Sequence, residues 1–261
     1  MIVVLEKIGS AFLSLSRSFF TTLGFSGAVL IRIFSPKAYT SASLSVLLHQ
    51  IYFTAVQILP FFLLISVILG TLLIGIAFQT IKSMGLDRFL GTVLVGFIIT
   101  ELSPFVTVLL LALRSSSAIN TEVAVMKVNR ELRTLEVFGI DVVDYLFLPR
   151  IMNGMISLTL LNGLFSVVLL ASGFFFSFFI FGMDFQSYSE LLAESIVFSS
   201  MIILVGKCIA FGFFITLIPI MAGTGATYDL TTIPVSVLHG MIRVFSAIIV
   251  VEVLSLLARF I

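Results

Sequence analysis

The chain has no Asp, Glu, Lys or Arg between Lys37 and Lys82, and a second charge-free stretch covers residues 151–183. A helix that crosses the hydrocarbon core of a bilayer needs about 20 consecutive, mostly apolar residues. Both stretches exceed that length. Soluble domains carry about a quarter charged residues, whereas this chain carries 10%. A soluble globular enzyme is therefore excluded, and an integral membrane protein is predicted.

The hydropathy pattern predicts an all-α integral membrane protein with an N-terminal interfacial amphipathic helix and five transmembrane helices. The second of these contains Glu101 and Pro104. Because proline has no N–H to donate to the helical ladder, we expect that helix to be kinked or broken there. The predicted spans are 51–78, 89–113, 151–183, 191–218 and 233–260.

Residues 1–45 are predicted to form the interfacial helix and a turn that leads into the membrane domain, residues 46–261. Apolar residues recur at helical spacing near the N-terminus, with charged and serine residues on the remaining face. An alternative is a cytoplasmic helix packed on protein. The apolar positions are Leu5, Ile8, Phe12, Leu15, Phe19 and Leu23.

The distribution of Lys and Arg predicts the orientation, since basic residues concentrate in cytoplasmic loops. The predicted outer side holds Lys82, Arg88 and Arg259. We therefore place the N-terminus in the cytoplasm and the C-terminus on the opposite, outer side of the membrane. The basic residues on the predicted cytoplasmic side are Lys7, Arg17, Arg32, Lys37, Arg114, Lys127, Arg130, Arg133 and Arg150.

Residues 120–139 are predicted to form a charged amphipathic helix in the cytoplasm. Asn120 can cap its start and Gly139 can end it. Its apolar stripe must lie on the membrane domain, in the groove of a partner protein, or on the bilayer surface. The stripe consists of Val125, Val128, Leu132 and Leu135.

Four ionisable residues fall inside the predicted spans: Glu101, Lys207, Arg243 and Glu252. Charges at membrane depth are costly, so they face a cavity or pair with one another. Glu101 beside Pro104 is predicted to line a polar passage. The alternative is pairing between helices, such as Lys207 with Glu252, that only stabilises the bundle.

Several classes of site are missing from the sequence. It contains no phosphate-binding loop, no HExxH and no GxSxG motif. The single Cys208 and two isolated histidines predict no metal site and no disulfide framework. We therefore expect neither an enzyme nor a nucleic-acid-binding protein, and no cofactor on this chain.

Two stretches resemble the MlaE (YrbE) permease family: residues 101–118, ELSPFVTVLLLALRSSSA, and residues 121–126, TEVAVM. The continuation through Glu136, Gly139–Asp141 and Pro149–Arg150 is also similar, as is the position of Lys207. The sequence departs from the family pattern at Thr100, where the family usually has arginine, and at Ser103, where it has glycine. The resemblance covers about residues 50–260.

The resemblance implies a homodimeric, multi-pass permease in a bacterial inner membrane, with its C-terminus in the periplasm. It implies that this permease belongs to an ABC transporter that moves phospholipid between the inner and outer membranes. It implies a separate cytoplasmic ATPase (MlaF-like) that binds ATP and Mg²⁺, and an MCE-domain protein (MlaD-like) on the periplasmic side. A small STAS-type regulator (MlaB-like) is a further expected partner. Helix 120–139 would then be the coupling helix that contacts the ATPase.

On that basis we assign roles to particular residues as hypotheses. Acyl chains are expected to lie along the apolar walls of the first two spans. ATP binding on the partner is expected to move the coupling helices and squeeze the cavity between two copies of the chain. The expected substrate-binding residues are Glu101, Thr100, Leu69, Leu73 and Phe97. The expected coupling residues are Glu122, Met126, Arg130 and Glu136, and the expected structural or gating charges are Arg114, Lys207, Arg243 and Glu252.

Three other classes remain as alternatives. A permease of another ABC type has the same need for a coupling helix. A secondary transporter usually shows an internal repeat, and we find no convincing one. A non-transporting membrane scaffold leaves Glu101 and Pro104 without a role.

Overall fold

The structure, a computed structural model, describes residues 24–33, 41–86 and 89–260. Every regular element in these ranges is helical. In chain order the helices are α1 (Gly24–Ile33), α2 (Ser45–Ser83), α3 (Leu90–Val128), α4 (Glu131–Val137), α5 (Val143–Phe181), α6 (Phe185–Ser195), α7 (Phe198–Thr224) and α8 (Leu230–Arg259). Five of them, α2, α3, α5, α7 and α8, are long and apolar enough to cross a membrane, which confirms the predicted all-helical fold with five spans.

The spanning helices alternate in direction, so their ends form two faces. The starts of α2, α5 and α8 and the ends of α3 and α7 lie together at what we call the loop face. Lys127, at the end of α3, illustrates this, because its Nζ lies 5.4 Å from the ring centroid of Tyr228, two residues before α8 begins. The loop face is the side that the basic residues assign to the cytoplasm.

The predicted fourth span begins too early. Ile196 and Val197 have extended backbone, with ψ of 114° and 124°, and they separate α6 from α7. The apolar residues after position 191 therefore belong partly to the short helix α6, and the spanning helix runs from Phe198 to Thr224. The fifth predicted span, 233–260, agrees with the α-helix Ile233–Phe260.

The prediction of one helix over residues 120–139 is wrong. The first part, to Val128, is the end of α3, and α4 is a separate helix. Arg130 has a φ of 62°, in the left-handed region that residues other than glycine rarely adopt, and the chain reverses its direction there. The reversal brings Leu132 back into an apolar cluster with Val123 and Val142.

The predicted interfacial helix lies mostly outside the described residues, because residues 1–23 and 34–40 are not among them. Helix α1 follows it, and Nη1 of Arg32 in α1 lies 2.9 Å from Oδ2 of Asp141 and 2.9 Å from Oδ1 of Asp144. This pair of contacts attaches α1 to the connection between α4 and α5, through Asp141, and to the first turn of α5, through Asp144.

The expected discontinuity near Glu101 takes the form of a change in helix type. Residues Leu94–Leu102 are π-helical, and α-helical geometry resumes at Ser103, with Pro104 in its first turn. Proline has no N–H to bond to a carbonyl of the preceding turn, and the change from π-helical to α-helical geometry falls at that position. Helix α3 nevertheless continues as one element through Glu101 and Pro104.

Small residues allow α5 and α7 to pack closely. A Cβ added at Gly212 would collide with the backbone of Gly154 and Met155, and one added at Gly154 would collide with Thr216. Buried hydroxyls and amides join other helices, as where Ser103 Oγ donates to Asn162 Oδ1 at 2.8 Å. Close backbone approach and polar contacts of this kind are the usual means by which helices associate inside a membrane.

Candidate functional site

A cluster of four charged side chains lies between α3, α7 and α8. Lys207 is at its centre, and its Nζ donates to Oε2 of Glu101 at 2.5 Å and to Oε1 of Glu252 at 2.8 Å. Nη1 of Arg259 lies 3.2 Å from Oε1 of Glu101. Two cations thus face two carboxylates, so the cluster is neutral when all four are ionised.

Arg259 also fixes the backbone of the π-helical segment. Its Nη1 donates to the carbonyl oxygen of Gly96 at 2.5 Å and to Oγ1 of Thr100 at 3.0 Å. A Cβ at Gly96 would lie 3.0 Å from Nη2 of Arg259, so the glycine leaves room for the guanidinium. Thr100, where the resemblance leads us to expect arginine, is therefore contacted by an arginine from α8.

The cluster is closed on one side and open on the other. The Lys207 side chain is 1% exposed and that of Glu101 is 10% exposed, whereas Arg259 is 31% exposed. Oε2 of Glu252 is buried without a hydrogen-bond partner among the described residues. The group that the cluster presents outward is thus a guanidinium, which suits a phosphate or carboxylate.

The structure brings together some of the predicted substrate-binding and charged residues but not all of them. Thr100, Glu101, Lys207 and Glu252 meet in the cluster, and the Lys207–Glu252 pairing predicted as an alternative is present. Phe97 is exposed one helical turn before Glu101. Leu69 and Leu73 are half-buried on α2 against the main apolar core.

Arg114 and Arg243 lie away from the cluster. Arg114 is near the loop face, where its Nη1 donates to the carbonyl of Phe53 at 3.1 Å and its Nη2 to Oε1 of Gln57 at 2.9 Å. Arg243 is exposed in the middle of α8. Among the residues the structure describes, no hydrogen bond or ion pair to Arg243 occurs.

The predicted coupling residues lie at the loop face. Glu136 and Arg130 line a cavity of about 310 Å³, together with Lys127, Arg133 and Tyr228. Met126 is half-buried against the apolar cluster of α3 and α5. Glu122 is paired instead with Arg150, at 2.5 Å between Oε1 and Nη2.

Two functional candidates were missed as site residues. Arg259 entered the sequence analysis only through the orientation of the spans, although its spacing of seven residues from Glu252 places both on one helix face. Arg150 is buried, with a side chain 7% exposed, and no sequence signal connected it with Glu122. The described part of the chain contains no group of three or more His, Cys, Asp or Glu residues that could hold a metal ion.

Comparison with known proteins agrees with the resemblance seen in the sequence. The family model described as Permease MlaE matches residues 47–258. The Intermembrane phospholipid transport system permease protein MlaE of Haemophilus influenzae is 28% identical over 181 residues, which cover 69% of each chain.

Two further relatives extend the comparison. The chloroplastic protein TRIGALACTOSYLDIACYLGLYCEROL 1 of Arabidopsis thaliana is 30% identical over 158 residues, 60% of this chain and 44% of that protein. A protein of Rickettsia felis described as "Probable ABC transporter permease protein" is 23% identical over 222 residues, 84% of this chain and 83% of that one. Since the family match covers most of the chain, including α2, α3, α5, α7 and nearly all of α8, the protein is a multi-pass membrane protein that belongs to the MlaE permease family.

Proposed function

We propose that this chain is the permease subunit of an ABC transporter that moves phospholipid between the inner and outer membranes. The observation that carries the proposal is the buried cluster of Lys207, Glu101, Glu252 and Arg259, whose exposed edge is a guanidinium. Arginine pairs well with a lipid phosphate because its planar fork donates two parallel hydrogen bonds. The Haemophilus influenzae relative is described as the permease of an intermembrane phospholipid transport system, which supports phospholipid as the substrate class.

The position of the cluster also suits a lipid headgroup. Phe97 is 54% exposed one turn away from Glu101, and α2 also has exposed apolar side chains, at Leu64, Ile68 and Leu72. Apolar side chains beside a charged group match the two parts of a phospholipid. In this proposal Arg259 contacts the phosphate while Leu69, Leu73 and Phe97 contribute to the acyl-chain walls.

A homodimer accounts for the surface of α8. Arg243 is exposed about halfway along that helix, next to exposed Leu238, Ile242 and Ile249. An arginine that faces lipid at mid-membrane costs several kcal/mol, roughly 2.5–3.5 on insertion scales. We therefore place α8 against a second copy of the chain, where Arg243 faces a polar cavity between the two subunits.

Helix α3 connects the proposed substrate site to the proposed ATPase contact. Glu101 and Glu122 lie on this one helix, about 30 Å apart at 1.5 Å per residue. A displacement of the loop face by a cytoplasmic ATPase can thus reach Glu101 as a rigid-body motion. In this proposal ATP and Mg²⁺ bind to the partner, and Met126, Arg130 and Glu136 contact it from the end of α3 and from α4.

The remaining partners and the orientation belong to the same proposal. The loop face, with Arg114, Lys127, Arg130, Arg133 and Arg150, is cytoplasmic by the excess of basic residues. The end of α8 is then periplasmic, where an MCE-domain protein would receive or deliver lipid. A STAS-type regulator would act through the ATPase and needs no contact with this chain.

The proposal is tested by purifying the full chain in mild detergent and identifying bound proteins and lipids by mass spectrometry. We expect a dimer with an ATP-binding subunit and bound phospholipid. Glu136→Lys should release the ATPase and leave the dimer intact, because Glu136 is exposed in α4. Glu190→Lys, an exposed glutamate in α6 at the opposite face, is the matched control and should retain the ATPase.

A chain that purifies without an ATPase and without lipid beyond the annulus would contradict the proposal. A secondary transporter or a membrane scaffold would then be favoured.

A further inference from the structure

A second polar cavity lies at the loop face between α2, α3 and α5. Its volume is about 380 Å³, within the roughly 300–1,000 Å³ of small-molecule pockets. Two guanidinium groups line it, from Arg114 and Arg150, against the single carboxylate of Glu122. The other polar residues of its lining are Gln50, Thr54, Gln57, Ser115 and Asn153.

Arg150 has hydrogen-bonding capacity that the fold does not use. The residue is 6% exposed, and its Nη1 is buried without a hydrogen-bond partner among the described residues. Its Nη2 is occupied by Glu122, whose side chain is 58% exposed and therefore borders on solvent. A buried, partly unsatisfied guanidinium is costly to keep unless a ligand completes its hydrogen bonds at some stage.

Arg114 lines the same cavity, and its hydrogen bonds within the fold are weaker than the ion pair of Arg150. Its two contacts, to the Phe53 carbonyl and the Gln57 amide oxygen, are with neutral groups. An anion in the cavity would replace these by stronger charge-assisted hydrogen bonds. Because the lining has two cations and one anion, a negatively charged ligand is favoured over a cation.

The depth of the cavity indicates where the ligand comes from. Helices α2, α3 and α5 have 39 residues each, or about 58 Å at 1.5 Å per residue, against a hydrocarbon core of about 30 Å. Gln57, Arg114 and Arg150 lie about 10–20 Å in from the loop-face ends of their helices. This level corresponds to the boundary between hydrocarbon and headgroups, where both a lipid phosphate and a dissolved phosphate have access.

We propose that this cavity is a phosphoryl-anion site, separate from the Lys207 cluster, in which Arg114 and Arg150 bind a phosphate group in competition with the Glu122 carboxylate. When the anion enters, Glu122 leaves Nη2 of Arg150 and turns towards solvent. No bond is made or broken, so the step is an exchange of ion-pair partners. The site does not depend on the transport proposed above.

The site is tested on the full-length chain in neutral detergent with two probes. Inorganic phosphate is titrated by calorimetry, and dioleoyl phosphatidylglycerol is added stepwise and counted by native mass spectrometry. Arg114→Gln should lower the affinity about tenfold, since a charge-assisted hydrogen bond is lost. Glu122→Gln should raise the affinity severalfold, because the competing carboxylate is gone.

Lys82→Gln is the matched control, since it also removes one exposed cation but at the far end of α2. Binding of the lipid alone identifies a headgroup as the ligand, and binding of both probes identifies phosphate in general. The proposal is overturned if neither probe binds. It is also overturned if Arg114→Gln has no more effect than Lys82→Gln, or if Glu122→Gln does not strengthen binding.

Discussion

Nη1 of Arg259 lies 3.2 Å from Oε1 of Glu101, so the last spanning helix completes a charge cluster that begins in the second. The same guanidinium also contacts the Thr100 hydroxyl and the Gly96 carbonyl. An arginine at position 100 is expected from the resemblance to the MlaE family, and here a guanidinium reaches that place from α8. Although this chain has threonine where the family usually has arginine, a guanidinium is still present beside Glu101.

This relationship predicts a second-site rescue. Arg259→Gln should reduce the phospholipid that copurifies with the chain, because the exposed cation of the cluster is lost. Thr100→Arg in the same chain should restore it by supplying the guanidinium from α3. Lipid per dimer, measured by mass spectrometry, is the readout. If the double variant carries no more lipid than Arg259→Gln alone, the two positions are not equivalent.

Lys207 should be the most important charge for stability. It is the only cation in contact with both Glu101 and Glu252 in the described cluster, and its side chain is 1% exposed. Removal of one partner from a buried ion pair costs about 3–5 kcal/mol, so Lys207→Met should lower the free energy of unfolding by that order. Chemical denaturation in detergent is the measurement.

Two companion variants separate charge from packing at Lys207. Adding Glu252→Gln to Lys207→Met should recover part of the loss, because one uncompensated carboxylate is removed. Lys82→Met changes an exposed lysine and should alter stability little. Equal losses for Lys207→Met and Lys82→Met would show that the cluster does not stabilise the fold.

The close contact of α5 and α7 is tested by two glycines of one helix. Gly154→Ala places a Cβ against Thr216 and the Gly212 carbonyl and should destabilise the protein by about 1–3 kcal/mol. Gly163→Ala meets nothing within 4 Å and should be neutral or stabilising by up to about 1 kcal/mol, given the helix propensities. Thermal unfolding of both variants in the same detergent compares them, and a similar loss in each would contradict the packing.

The attachment of α1 should depend on pH. Burial raises the pKa of Asp141, but hydrogen bonds from Arg32 and from the amides of Val143 and Asp144 outweigh it and hold the pKa below the usual 3.8. A lowered pKa in the folded state means that this contribution is present above pH 3.8 and is lost as the pH falls through the lower folded value.

Hydrogen exchange in residues 24–33 should therefore be unchanged between pH 7 and pH 5, after correction for the intrinsic rate, and faster well below pH 3.8. Arg32→Gln should accelerate exchange already at pH 7. Arg133→Gln, an exposed arginine in α4, serves as the control. Protection that is unaffected by Arg32→Gln would show that other contacts hold α1 in place.

The sequence predicted the spanning helices because a helix in lipid needs about 20 mostly apolar residues, and stretches of that length and polarity can be located in the sequence directly. The bounds of the α-helical part of α8, Ile233–Phe260, were predicted well, since Pro234 falls in its first turn and the residues after it are mostly apolar, with only Arg243, Glu252 and Arg259 charged. The bounds of α7 were not, because the turn at Ile196 and Val197 is made by two β-branched apolar residues that continue the hydropathy pattern.

The site was predictable only in part, for a physical reason. That Glu101, Lys207 and Glu252 require partners follows from the cost of charge in hydrocarbon, but which partner each has depends on how the helices pack. Arg259 is near the end of its helix, where an arginine side chain usually extends to the membrane interface. Nothing in the local sequence therefore indicated that it contacts Glu101 instead. The reversal at Arg130 depends on contacts that the local sequence does not reveal. The Arg130 guanidinium lies over the ring of Tyr228, about 100 residues later, and Leu132 packs into an apolar cluster with residues of other helices.

In the proposed function, an ATPase moves the loop face, and this motion changes how tightly the membrane domain binds phospholipid. The most direct test is transfer of fluorescent phospholipid out of proteoliposomes that contain the copurified complex, with and without ATP. We predict ATP-dependent transfer that Arg259→Gln and Glu136→Lys both reduce. Transfer that is equal with and without ATP, or unaffected by both variants, would contradict the account.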